Sequence, residues 1–174
     1  VKAFVVKRAS AMARERRGEL MTTSLPGVGD IIYYERRGGA IADYVAEGMA
    51  NLRRPVVAVG HSLGGIMLVD LLTRETAPAA DTLVTVGSQA PLLYAIDSLQ
   101  RLRPSDTDPQ PFVPWLNVYD RSDLLSFCAE ATFPGVTGIN DHEVESGVPF
   151  PEAHSAYWRN DRVYELIRDA WPAS

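Results

Sequence analysis

Ten residues carry the strongest chemical signal in the chain: Val56-Val57-Ala58-Val59-Gly60-His61-Ser62-Leu63-Gly64-Gly65. Val56 to Val59 is a short apolar run rich in β-branched residues, opened by Pro55 and closed by Gly60. It reads as a strand covered on both faces. Ile66-Met67-Leu68-Val69-Asp70-Leu71-Leu72 continues as an apolar helix. Between them stands Gly60-x-Ser62-x-Gly64, a G-x-S-x-G pattern in the strand-turn-helix setting that gives it meaning. Glycines there let backbone segments approach where a Cβ would collide. The serine at the tip is expected in a strained conformation that holds Oγ clear of the backbone. The pattern alone is ordinary turn chemistry; strand, turn, glycine pair and helix together point to a nucleophilic serine.

A serine hydroxyl is a poor nucleophile at neutral pH. It needs a base to take its proton and a third group to hold that base. The chain has three histidines. His61 adjoins Ser62, and its side chain is expected to point away from the serine as a packed or hydrogen-bonded neighbour of the turn. His142, within Asp141-His142-Glu143, reads as a solvent-facing strand residue. His154 follows that strand, in Pro151-Glu152-Ala153-His154-Ser155-Ala156-Tyr157-Trp158, and is the best-placed base. Its plainer reading is the first residue of a helix in a surface loop. The acid is Asp120 or Asp123, in Tyr119-Asp120-Arg121-Ser122-Asp123-Leu124-Leu125. Asp123 is favoured because it sits past the turn and an apolar pair follows it to anchor the loop.

These residues must be carried by strands and helices. Phe4, Val5, Ala9, Met12 and Ala13 recur at helical spacing over residues 1–17, with a strand at Val1 to Val6 as the competing reading. Gly18 to Asp30 reads as a loop, and Asp30 as the cap of a helix running to about Leu52, with Gly38-Gly39 as a point of interruption. Ala77-Pro78 breaks the helix after the elbow. Thr82 to Val86 and Trp115 to Tyr119 are further strands, with a helix over Leu92 to Leu102 and an irregular Pro-rich loop over 103–114 between them. Leu124 to Pro134 is a short helix or loop. Ile139 to Glu145 is a fourth strand, more polar and so nearer an edge. Tyr157 to Trp171 is a terminal helix with Val163, Leu166, Ile167 and Trp171 on one face. Strands alternating with helices predict an α/β fold, a three-layer α/β/α arrangement around a mostly parallel sheet. In such sheets functional groups gather beyond the carboxyl ends of the strands. Ser62, the Asp120–Asp123 turn and His154 each follow a strand.

Length and composition agree. The 174 residues suggest one domain over 1–174, with the elbow and its partners in 55–160 and a helical lead-in over 1–54. Apolar residues are 46% and charged residues 22%, as in soluble globular proteins. A net charge of −5 argues against nucleic acid as a partner. The basic runs at Arg14 to Arg17 and Arg36-Arg37 read as solvated helix faces. Cys128 is the only cysteine, so no intrachain disulfide and no cysteine-based metal site can form. A reducing, cytoplasmic location is the expectation. No apolar run is long enough to span a membrane, and no signal peptide is visible. No cofactor and no metal is expected.

The order Ser62, Asp123, His154, with Gly-His-Ser-Leu-Gly-Gly at the turn, resembles the α/β-hydrolase superfamily, most closely its lipase and esterase branch. Val86-Gly87-Ser88-Gln89-Ala90-Pro91 is similar to a lipase loop, and Asp120-x-x-Asp123 to the family's acid turn. The resemblance runs from about residue 28 to the C-terminus. It implies a Ser–His–Asp acyl transfer on a small-molecule ester or thioester. Ser62 would attack the carbonyl, His154 would carry the proton and Asp123 would hold the imidazolium. The backbone N–H of Leu63 would be one oxyanion donor, and water would release the acyl-enzyme. The family places a second oxyanion donor on a loop after an earlier strand, often marked His-Gly. No strand with such a motif precedes residue 55. The favoured expectation is that the chain is the C-terminal part of the fold, with its N-terminal strands upstream of Val1. One sheet edge would then be open, and the rest of the same protein would be a partner. A minimal variant with an unusual oxyanion hole is the alternative.

A second function class is a catalytically inactive hydrolase-like binding or scaffolding module. A peptidase or acyltransferase on the same fold would share the three residues and differ in substrate. Tyr94, residues 111–115 and residues 127–133 could line an acyl pocket, although aromatics so placed more often belong to a core. The 103–114 loop reads as a lid or as plain surface.

Overall fold

A computed structural model describes residues 27, 29–73, 77–104, 113–133 and 136–172. The readings of residues 1–17, of 18–26 and of 105–112 lie outside the described residues. Residues 29–37 are helical, so Asp30 lies inside the helix rather than capping it. The expected interruption falls at Gly38, where a Cβ would collide with the ring and carbonyl of buried Tyr34. Helix α1 (Gly39–Ala50) follows. Then come β1 (Val57–His61), α2 (Leu63–Leu72), β2 (Thr82–Val86), α3 (Ala90–Ala95), β3 (Trp115–Tyr119) and β4 (Ile139–Glu143). The chain closes with α4 (Ala153–Ala156), a 3-10 turn (Tyr157–Arg159) and α5 (Asp161–Asp169).

The four strands pair in the order β1-β2-β3-β4, and all three pairings are parallel. Side chains alternate across the sheet. Leu83 and Trp115 point into one core with Ile66, Val69 and Leu71 of α2 and with Tyr34. Val84, Val86, Leu116 and Val118 point into the other, with Tyr157, Val163 and Leu166. The fold is therefore α/β, with helices on both faces of a parallel sheet. The polar fourth strand stands at an edge, as its composition predicts.

Two elements differ from the sequence reading, and in a third the structure decides between helix and loop. Helix α3 stops at Ala95 instead of reaching Leu102. Asp97 adopts a left-handed φ of 55°, Asp97 N–H bonds Tyr94 O (3.0 Å) and Ser98 N–H bonds Leu93 O (2.7 Å). This paired closure ends a helix. Residues 124–133 form turns and bends, with no helix. There Asp141 of β4 accepts the N–H groups of Ala129 (2.9 Å) and Glu130 (3.0 Å), which a helix would have used internally. The terminal helix is broken at Asn160, which is extended and whose side chain accepts from Arg162 N–H to start α5. Trp171 falls beyond α5 and is 53% exposed, so it does not share the buried face of Val163 and Leu166.

Candidate active site

The elbow begins two residues later than the apolar run suggests. Strand β1 continues through Gly60 and His61, and α2 starts immediately after Ser62. Ser62 has φ 53° and ψ −120°. A non-glycine residue in this region stores about 1–3 kcal/mol of strain that the surroundings must hold. The glycines differ in their reasons. A Cβ on Gly60 would lie 2.5 Å from the backbone of Gly64, and one on Gly65 would lie 2.5 Å from Ser88 Oγ. A Cβ on Gly64 would meet nothing within 4 Å, so the expectation that every glycine of the motif is sterically required fails there. Ser88 Oγ in turn reaches Ser62 O (3.3 Å). Leu63 N–H lies in the first turn of α2, where amides lack intrahelical acceptors.

The structure brings Ser62, His154 and Asp123 into one relay. His154 Nε2 stands 2.9 Å from Ser62 Oγ, and its Nδ1 stands 2.9 Å from Asp123 Oδ2. The tautomer with the proton on Nδ1 satisfies both contacts: Nδ1–H donates to the carboxylate and Nε2 accepts from the serine. The Asp123 side chain is fully buried and that of His154 is 19% exposed. The Ser62 end of this chain of contacts is therefore open while the Asp123 end is sealed.

Of the two carboxylates left open by the sequence, Asp123 contacts His154. Its Oδ1 accepts Leu125 N–H (3.0 Å), and its Oδ2 accepts His154 and the Tyr157 hydroxyl (2.9 Å). Asp120 serves the loops instead. It accepts Ser122 N–H on Oδ1 and Ser146 N–H on Oδ2, each at 2.7 Å. Burial pushes its carboxyl upward, yet these donors outweigh it and hold the group below the ordinary carboxylate range.

His61 turns from the serine as expected, and it contacts the base. Its Nε2–H donates to the backbone carbonyl of His154 (2.7 Å), and the two rings lie 5.0 Å apart. Burial lowers its basicity below the ordinary imidazole range, against the opposing effect of the hydrogen bond to the His154 carbonyl. His142 is exposed on β4 and lines a cavity of about 300 Å³ with Pro114, Arg162 and Asp169, apart from the relay. Tyr94 stacks on Phe133 (4.2 Å) and Trp115 meets Phe133 edge-on (5.1 Å). All three are buried in the core.

Sequence reasoning missed two neighbours of the relay. Gln89 is buried, and its Nε2 donates to Leu125 O (2.9 Å) and Gly87 O (3.3 Å). That leaves its Oε1 3.5 Å from Ser62 Oγ. It lies in the Val86–Pro91 stretch that is similar to a lipase loop, a likeness that assigned no role to Gln89 itself. Tyr157 is three residues after His154, a spacing that places two side chains on the same side of a helical turn. That spacing was the available signal.

Among the described residues, no cluster of three or more His, Cys, Asp or Glu side chains could hold a metal ion. No described helix is long and apolar enough to cross a membrane. No curated protein and no solved structure matches the chain. A parallel sheet flanked by helices, with a strained serine between β1 and α2, agrees with a family model that matches residues 4–173, and the chain belongs to that family, the alpha/beta hydrolase family.

Proposed function

We propose that the protein is a serine hydrolase that cleaves a carboxylic ester or thioester through an acyl-enzyme on Ser62. The observation that carries this reading is the unbroken Ser62–His154–Asp123 relay, with 2.9 Å at each link. Substrate enters on the exposed side of His154. As Ser62 Oγ attacks the carbonyl carbon, His154 Nε2 takes its proton, a step class worth roughly 10²–10⁴-fold in rate. The imidazolium forms against the buried Asp123 carboxylate, which holds the ring in place. The carbonyl oxygen, now an oxyanion, faces Leu63 N–H at the head of α2. One such donor is typically worth roughly 3–4 kcal/mol of transition-state stabilisation. His154 then protonates the departing alkoxide or thiolate. Water, deprotonated by the same nitrogen, attacks the acyl carbon, and the proton returns to Ser62.

Labelling with a fluorophosphonate tests the assignment, because it needs an activated serine and no knowledge of the substrate. Wild-type protein should label covalently at Ser62, and Ser62→Ala should not. Persistent labelling of Ser62→Ala would sink the reading. A folded wild type that neither labels nor turns over any p-nitrophenyl ester would instead be a hydrolase-like binding module.

A further inference from the structure

Tyr157 is buried at 1% exposure, and its hydroxyl sits among the Asp120 amide, the Ser126 hydroxyl and the Asp123 carboxylate. Asp120 N–H donates to Oη (3.0 Å), and Oη–H donates to Asp123 Oδ2 (2.9 Å). A phenol has one proton to give. Asp120 N–H and the Ser126 hydroxyl both stand beside Oη, and the carboxylate of Asp123, the strongest acceptor in reach, takes that proton. Burial raises the phenol well above its ordinary range, so it stays a donor at any working pH.

Asp123 Oδ2 therefore receives two protons, one from His154 Nδ1 and one from Tyr157. Both donors come from one segment, three residues apart, whereas the third donor, Leu125 N–H, belongs to the acid's own turn. Without Tyr157, the carboxylate would be tied to the histidine segment only through the histidine it must orient. The loop after β2 leaves room for this pair. A Cβ on Gly87 (φ 58°) would lie 2.7 Å from the Tyr157 ring and 3.1 Å from Asp123 Oδ2. The ring also packs in the core with Val84, Val118 and Val163. A packing role needs only the ring, and a phenylalanine keeps it.

We propose that Tyr157 is a positioning residue for acyl transfer: its hydroxyl aims the Asp123 carboxylate at His154 and shares its charge. This rests on the hydrolase reading given above. A charge-assisted hydrogen bond to a buried carboxylate is among the stronger ones in a protein, so its loss should be visible in rate.

The test is the second-order rate of fluorophosphonate labelling in the full chain, measured on Ser62→Ala, Tyr157→Phe, Asp123→Asn and the Tyr157→Phe/Asp123→Asn double variant. Labelling should vanish in Ser62→Ala and slow about tenfold in Tyr157→Phe, the size of one lost orienting contact. The double variant should label no more slowly than Asp123→Asn alone, because the hydroxyl acts only through the acid. The downfield proton resonance of the His154–Asp123 contact should move in Tyr157→Phe, which a packing role would leave in place. Should Tyr157→Phe not fold, 3-fluorotyrosine at position 157 keeps ring and hydroxyl and changes donor strength, and it must shift the same resonance. Absent labelling in Ser62→Ala together with a wild-type rate and resonance in Tyr157→Phe, or an unmoved resonance with 3-fluorotyrosine, overturns the role of Tyr157 alone. Persistent labelling of Ser62→Ala overturns the hydrolase reading and this role with it.

Discussion

Ser62 and Asp123 are both held at the carboxyl end of the sheet, by opposite means. After β1 the chain fixes Ser62 through its backbone: a strained φ of 53°, a close approach of Gly60 to Gly64, and a close approach of Gly65 to Ser88. After β3 the chain fixes Asp123 through hydrogen bonds. Ser126 Oγ donates to Asp120 O (2.9 Å) and lies 3.0 Å from Asp123 O, while Asp120 pins Ser122 and Ser146. The difference follows from the tasks. A nucleophile must stand clear of its surroundings, so few side chains can touch it, and the backbone must do the holding. A buried carboxylate must be compensated, so it is surrounded by donors. The first device fails by collision and the second by loss of partners.

The largest break should come from Gly60→Ala. Its Cβ would lie 2.5 Å from the Gly64 backbone, which has no free rotamer to yield. We expect a loss of about 3 kcal/mol or more in urea denaturation, in the range of severe overpacking; a melt within experimental error of wild type would refute the backbone account. Asp120→Ala comes next, leaving the Ser122 and Ser146 amides without an acceptor, at about 2 kcal/mol. Its pH dependence has a definite sign. A carboxylate whose folded pKa is depressed contributes above its unfolded value near 4, and that contribution is lost as pH falls through the lower folded value. The stability gap between wild type and Asp120→Ala should therefore be full at pH 7 and shrink in acid below about pH 4. A gap that is constant down to pH 2 would show that the carboxylate charge is not what Ser122 and Ser146 use. The smallest effect belongs to Gly64→Ala. Open space surrounds the added Cβ within α2, so stability should rise by about 0.5–1 kcal/mol. A loss there would place Gly64 beside Gly60 as a steric requirement.

The same contrast explains what the sequence revealed. Strands β2 and β3 could be bounded to the residue, because Thr82–Val86 and Trp115–Tyr119 are apolar runs between breakers and their burial agrees with their composition. The elbow was legible because backbone devices leave glycines at fixed spacing. The acid turn was only half legible. Asp120 and Asp123 are the same residue type in one loop, and which of them reaches His154 depends on contacts 26 to 34 positions away. Tyr157 read only as the first residue of the terminal helix for that reason. Residues 124–133 were left between helix and loop because the amides of Ala129 and Glu130 are satisfied by Asp141 from another strand, a pairing that no local pattern carries. The break at Asn160 was a local signal, an Asn able to cap, that the apolar periodicity around it outweighed.

One contact has a mechanical consequence. Adjacent residues at the end of β1 both grip the histidine: Ser62 meets its ring, and His61 meets its backbone carbonyl. A single hydrogen bond sets a separation and leaves a swivel. Two rungs between the same pair of segments also set a bearing, as two pins stop a bracket from turning. If the segment after β4 shifts, the His61 rung draws the tip of β1 with it, so Ser62 and His154 travel together and their alignment outlasts a displacement that either alone would not survive.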